Sequence, residues 1–200
     1  MRVAASALAF ALALTAIAGA PAAAATISIL ALPPVADRQP WATGIQGEAE
    51  LPGLGGYDVR GVARVVSSLT DSYSLSLPGL PPTTVDTSFH FFQLGVTFSR
   101  SYFGRFDLYA GGGYAWQHAG YSTGNFAGFH RPATGGTTAN GPTVEAGIRI
   151  PFGKAAQFEG GVIALFSQPV GNLCDTAGRC GAPDTRSVLT YPYIALGVHF

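Results

Sequence analysis

Three observations predict an all-β chain folded as an antiparallel, up-and-down barrel of eight strands that crosses a membrane. Apolar residues alternate with polar or small ones along seven segments, the period of a strand with two unlike faces. The connections between those segments are alternately short and long. The polar face carries acidic and basic residues together, which a dry protein interior holds only at high cost.

Composition sets the bounds. A chain of 200 residues makes one domain or at most two small ones. Charged residues are 11% of it, under half of the roughly 25% usual in soluble domains. Lys154 is the sole lysine, and glycine accounts for 27 residues. Formal net charge is zero, so no basic footprint for nucleic acid and no acidic tail is present. Cys174 and Cys180 are too few for a cysteine-rich scaffold or a four-cysteine zinc site. These figures exclude a nucleic-acid binder, a disordered chain and a lysine-rich cytosolic enzyme.

The chain opens on Met1-Arg2, runs through an Ala/Leu-rich apolar stretch from Val3 to Ile17, and reaches Ala22 to Ala25. A short positive start, an apolar run too short to span a bilayer and small residues after it read as a cleaved signal peptide. Cleavage after Ala25 is expected, leaving residues 26–200 as the barrel domain.

The strands follow in order. Thr26 to Leu32 is the first, short and ended by Pro33-Pro34. It is needed because single-chain bacterial barrels have even strand numbers. Trp41 to Leu51 sets Trp41, Ile45, Ala49 and Leu51 against Gln46, Glu48 and Glu50. Tyr57 to Leu69 sets Tyr57, Val59, Ala63 and Val65 against Asp58, Arg60 and Arg64. Phe92, Leu94, Val96 and Phe98 oppose Gln93, Gly95, Thr97 and Ser99. From Arg105 to Gln117, Phe106, Leu108, Tyr114 and Trp116 lie opposite Arg105, Asp107 and the small residues. Thr143 to Phe152 sets Val144, Ile148 and Ile150 against Glu145 and Arg149; Ala156 to Ser167 sets Phe158, Val162 and Phe166 against Gln157 and Glu159. Ile194, Leu196, Val198 and Phe200 share the last apolar face, with Pro192 a departure, since proline removes a ladder donor.

A soluble barrel or sandwich shares the alternation. The rhythm of connections separates the two: short at 52–56, 101–104 and 153–155, long at 70–86, 118–142 and 168–186. Spanning barrels have short turns at one end and long loops at the other. In that topology Phe98, Phe106, Phe152, Phe158 and Phe200 fall near the short turns, and Trp41, Phe92, Tyr114, Trp116 and Phe166 near the long loops. Two aromatic girdles around an apolar band mark a bilayer-spanning barrel. The opposite face then lines a lumen with a charge network of Glu48, Glu50, Asp58, Arg60, Arg64, Arg105, Asp107, Glu145, Arg149 and Glu159. A three-residue turn at 153–155 opposes Arg149 to Glu159, and a five-residue turn at 52–56 opposes Glu48 to Arg60. In a hydrated lumen Arg149→Val is expected to cost less than placing an arginine at Val162.

The stretch Tyr193 to Phe200, apolar at alternate residues and ending in Phe, resembles the C-terminal assembly signature of bacterial outer-membrane proteins, with Phe200 as its key residue. Asp107 to Trp116 and Glu145 to Phe152 resemble glycine-rich mid-barrel strands of small OmpA-like and opacity-type barrels. The resemblance implies an outer-membrane location, contact with outer-membrane lipid and with the assembly machinery, and a monomer.

Candidate chemistry is sparse. Cys174 and Cys180, in the last long connection of an exported chain, are expected to form a disulfide. Asp86, Ser88 and His90 share the outward parity and resemble the Ser and His of lipid A deacylase barrels, but in reversed order and without the flanking motifs. No phosphate-binding loop, zinc spacing or nucleophile elbow occurs, so no cofactor, metal or catalytic residue is expected. Eight strands enclose a lumen that side chains fill, leaving at most a narrow pore. The expected role is structural or surface-interacting, through long external loops whose ligand the sequence does not name; a lipid-modifying hydrolase is the alternative.

Overall fold

The computed structural model describes residues 25–33, 41–68, 71–75, 83–123, 134–153, 155–167, 170–174, 180–181 and 188–200. Residues 1–24 of the expected signal peptide lie outside the described residues, while Ala25, placed at its end, is the first residue of β1. Eight strands form the barrel wall: β1 (Ala25–Leu32), β2 (Ala42–Leu54), β3 (Tyr57–Ser68), β5 (Thr83–Tyr102), β6 (Phe106–Thr123), β7 (Thr134–Phe152), β8 (Ala156–Phe166) and β11 (Val188–His199). Three short pieces, β4 (Asp71–Leu75), β9 (Val170–Cys174) and β10 (Cys180–Gly181), lie outside the ring. Each wall strand pairs antiparallel with its chain neighbours in the wall, and β1 pairs with β11, so the ring closes. At the seam Phe200 N–H donates to Ala25 C=O at 2.9 Å.

Short turns and both described ends of the ring lie at one end of the barrel; the longer connections lie at the other. Gly55 and Gly56 form the tightest turn with φ of 62° and 83°, a left-handed pair that side chains resist and hairpins favour. A bulge between Leu51 and Leu54 precedes it. The register therefore differs from the five-residue turn expected: Glu50 opposes Arg60, and Glu48 opposes Val62.

Prolines inside the strands occupy places where one ladder has stopped. Pro142 pairs with Tyr114, but the β7–β8 ladder begins only at Thr143. Pro151 pairs with Gln157 beyond Arg149, the last β7 partner of β6. Pro192 pairs with Val162 beyond Ile194, the last β11 partner of β1. The missing N–H is tolerated at such an edge.

The outward face is apolar. Ile29, Leu94, Leu108, Val144, Val162, Ile194 and Leu196 are exposed on it. Trp41, Tyr114, Trp116 and Phe166 ring its loop end, and Tyr57, Phe98, Phe152 and Phe200 its turn end, all exposed. On the upper ring Trp116 packs on Phe92 and Tyr114 with centroids 5.4 and 4.8 Å away. The charged residues are inverted relative to a soluble protein: Arg64 is 0% exposed and Arg149 2%.

Two of the expected long connections are largely strand. β5 begins at Thr83, β6 runs to Thr123, and β7 starts at Thr134. Their ladder is unbroken from Tyr102↔Phe106 to Val85↔Thr123 and from Asp107↔Arg149 to Ser122↔Thr134. Above the aromatic ring the outward positions turn polar, as at Asp86, Ser88 and His90, while inward Val85, Phe89 and Phe91 stay apolar. The apolar-outward alternation therefore ends while the backbone pairing continues.

Val162→Arg places a charge at mid-depth on the lipid-facing surface, where the expected cost is about 2–4 kcal/mol. Urea titration of the barrel refolded in lipid vesicles is expected to show that loss. Parental stability in the variant would mean that the outward face does not meet hydrocarbon.

Candidate functional site

The interior has two layers. In the lower one, toward the turns, ionised and amide side chains converge from opposite walls. Arg64, from β3, donates to Glu145 at 2.6 Å, Gln46 at 2.6 Å, Gln93 at 2.9 Å, Tyr193 at 2.9 Å and Glu159 at 3.4 Å. Arg149, from β7, donates to Glu48 at 3.1 Å and pairs with Glu159 at 3.2 Å. Arg60 donates to Glu48 at 2.9 Å despite the shifted register. Gln46 bridges the two carboxylates, donating to Glu48 at 2.6 Å and Glu159 at 3.2 Å. Three buried carboxylates thus meet three arginines, and the cluster carries no net charge to desolvate alone.

Aromatic residues complete this layer. Tyr193 donates its hydroxyl to Glu159 at 2.6 Å, so Tyr109, whose hydroxyl bonds that of Tyr193, acts as donor to it. The Arg64 guanidinium lies 4.7 Å over the Tyr193 ring and that of Arg149 5.1 Å over the Tyr109 ring. Gly147 and Gly161, opposed on β7 and β8, make the room: a Cβ on either would overlap the Tyr109 hydroxyl.

The upper layer is apolar. Leu30, Leu32, Val66, Phe89, Phe91, Ala115, Ile163 and Leu165 are buried there, with Tyr191 5.3 Å from Phe91 and 5.9 Å from Phe89 between ring centroids. The lumen is therefore polar only over its lower part. Inward parity selects a face and not a polarity, and near the loop end the inward positions of β1, β5, β8 and β11 are apolar.

The ten residues assigned to a single charge network do not all come together. Glu48, Arg60, Arg64, Glu145, Arg149 and Glu159 form the cluster. Glu50 touches its edge, 3.8 Å from Arg60, and is itself half exposed. Asp58 and Arg105 are exposed at the turn-end rim, and Asp107 is half-buried there. Each sits within a few residues of a hairpin turn, where an inward side chain meets water and not the opposite wall. Gln46, Gln93, Gln157, Tyr109 and Tyr193 belong to the cluster or touch it and share the parity of its charges, the signal that marks them.

Asp86, Ser88 and His90 are on the outward face but are not joined as a triad. Asp86 accepts from Ser72 of β4 at 2.5 Å, and His90 Nδ1 is 2.9 Å from Ser67 Oγ of β3. Cys174 and Cys180 are directly opposed in the β9–β10 ladder. His199 Nδ1 is 2.8 Å from Thr26 Oγ1 at the seam.

Burial changes the expectation for the lumen arginines. Arg64→Ala strips Glu145 of its arginine, and Arg149→Val leaves Glu48 and Glu159 with one arginine each. Either leaves three buried carboxylates facing two arginines, at an expected cost of about 3–5 kcal/mol. Arg149→Val is therefore not the mild substitution that a hydrated lumen implies. Arg105→Ala at the rim should stay within about 0.5 kcal/mol of the parent. Equal urea midpoints for Arg64→Ala and Arg105→Ala would show that the cluster is not a packed interior.

No family model and no curated protein matches the chain. Solved structures do. Ail, the attachment invasion locus protein of Yersinia pestis, solved in complex with the heparin analogue sucrose octasulfate, aligns over 89% of this chain and 99% of its own. Its identity is 12% and the TM-score 0.51. A major outer membrane protein from Thermus thermophilus aligns over 90% of this chain and 100% of its own, at 12% identity and TM-score 0.51. With eight antiparallel strands in a closed ring, a lipid-facing exterior and charges inside, the chain has the fold of an outer-membrane β-barrel.

Proposed function

We propose that the protein is an integral outer-membrane barrel that acts as a rigid monomeric stalk for an external binding surface, with neither transport nor catalysis as its task. The observation that carries this reading is the wall above the upper aromatic ring. There β5, β6 and β7 continue as paired strands, and β4, β9 and β10 widen them into a six-stranded sheet. Building ordered sheet beyond the bilayer orders many residues that contribute nothing to spanning it, which fits a surface shaped for contact.

The chemistry of that surface indicates its partner class. In and around the external segments Asp37, Asp71, Asp86, Asp175 and Asp184 stand against Arg38, Arg131, Arg179 and Arg186, so no basic excess favours a polyanion. The heparin analogue bound to Ail is a property of that protein. Here Thr, Gly and Ser dominate, a composition suited to adaptable hydrogen bonding with a neutral polar surface. The packed apolar layer argues against a solute path, and within the bilayer the closed ring has no edge to pair with a second copy. Phe200, exposed on the lipid side beside the seam, is the residue we assign to recognition by the assembly machinery. The hydrolase alternative gains no support, because Asp86 and His90 are bonded to different strands.

Two outcomes test the reading. On intact cells, external protease is expected to cut within 69–82, 124–133 or 167–187 and leave the ring, seen as a heat-modifiable band in the outer-membrane fraction. In planar bilayers the protein is expected to show no steady conductance, and porin-sized steps would refute the stalk. The opposed Cys174 and Cys180 are further expected to resist alkylation until reduced, a cross-link of so short a loop contributing about 2 kcal/mol or less.

A further inference from the structure

The outward row just above the upper aromatic ring is polar on four successive strands: Ser67, His90, His118 and Thr138. His90 and His118 are directly opposed on β5 and β6, and both are exposed. Directly opposed residues hold their Cβ atoms about 5 Å apart. His90 Nδ1 is 2.9 Å from Ser67 Oγ on β3, and His118 Nδ1 is 3.3 Å from Thr138 Oγ1 on β7. Each Nδ1 edge therefore turns to the outer flanking strand. In each ring the hydrogen bond engages Nδ1 and not Nε2.

For His118 the placement is direct. Its Cε1 lies 3.2 Å from the point where a Cβ would stand on Gly136 of β7, while its Nε2 lies 3.6 Å from the same point on Gly120 of its own strand. Ser88 Oγ approaches that Gly120 point to 2.9 Å from β5. Gly120, with no side chain, leaves a notch bordered by the His118 imidazole and the Ser88 hydroxyl, beside the rung where His90 opposes His118.

We propose that His90 and His118 chelate a divalent late transition-metal cation of the Cu2+ or Zn2+ class through their Nε2 atoms, over the notch at Gly120. An Nδ1–H donated to a neighbouring oxygen fixes the tautomer that leaves the Nε2 lone pair free, the usual arrangement of a ligating histidine. Imidazole nitrogen suits copper, zinc and nickel, with Cu2+ bound most tightly; Ca2+ and Mg2+ prefer oxygen sets. Among the described residues no group of three or more His, Cys, Asp and Glu could hold a metal. The site is accordingly an open, exchangeable one, completed by water or by the Ser88 hydroxyl. It stands whatever the external sheet binds.

Trp116 is the built-in reporter, one rung below His118 on the same face. The experiment is CuCl2 titration of the membrane-extracted protein, carrying no histidine tag and with Trp41→Phe so that Trp116 alone emits. Saturable quenching at one equivalent, reversed by EDTA, is expected. His90→Gln and His118→Gln should each weaken it roughly tenfold or more, His199→Gln should leave it unchanged, and Gly120→Val should weaken it by filling the notch. Heat-modifiable migration confirms that each variant is folded. No saturable quenching at millimolar Cu2+, or a loss in only one or neither histidine variant, overturns the proposal.

Discussion

A strand in hydrocarbon has no water to satisfy its N–H and C=O groups, so every one of them needs a neighbouring strand. The rest of this structure depends on that constraint. It demands the ring, and therefore the pairing of β1 with β11 and the Phe200–Ala25 hydrogen bond at the seam. It explains why Thr26 to Leu32, weak as a strand by itself, is one: without it both β2 and β11 would present an open edge. It also confines Pro142, Pro151 and Pro192 to points where a ladder has already ended on one side.

Closure at eight strands then decides the interior. A ring of this size leaves space for side chains and little else, so the inward face must pack as a core while facing away from lipid. Glu48, Glu145 and Glu159 are held there only because Arg60, Arg64 and Arg149 reach them from other strands. Glu145 and Arg64 sit on opposite walls, and so do Glu48 and Arg149. The pairs span the lumen and couple β2 and β3 to β7 and β8, strands that share no ladder. Directional, charge-assisted bonds across the barrel penalise any slip of register, which hydrophobic packing alone penalises less. The glycines at 147 and 161 belong to the same logic, since the Tyr109 ring that stacks on Arg149 needs their missing side chains.

Parity was the part of this architecture most open to sequence reasoning. Period two separates Val162 from Glu159 or Leu94 from Gln93 without any knowledge of the partner strand. Depth was not open, because alternation is blind to height along the barrel axis. Asp58, Arg105 and Asp107 have the inward parity of Arg64, yet sit at the rim, and Phe89 and Phe91 have it yet form an apolar layer. Register across the first hairpin was hidden by the bulge between Leu51 and Leu54, whose Pro52-Gly53 reads equally well as part of a longer turn. The strand extensions 83–86 and 118–123 were hidden for a different reason: beyond the membrane band the outward positions are polar or small, so no apolar-outward period records the backbone pairing. His118 lies in a stretch read as a connection, so it and His90, 28 residues apart in sequence, are opposed only once β6 is known to continue.

The order of the two interior layers bears on what the barrel is for. A polar layer alone, with exchangeable ion pairs, would leave a path that rearranging side chains could open. Placing Phe89, Phe91 and Tyr191 above it removes that freedom. An ion leaving the arginine–carboxylate cluster toward the loop end meets aromatic and aliphatic side chains that offer little to replace its hydration. The apolar layer also fills the barrel at the height where β1, β8 and β11 end while β5, β6 and β7 go on, so the strands that project outward rise from a packed base and not from a hollow rim. Rigidity at that height is what an external sheet needs to hold one shape against a partner, since ordering a loose surface on binding costs affinity. On the proposed reading, conduction is given up at the level where the projecting sheet gains its footing.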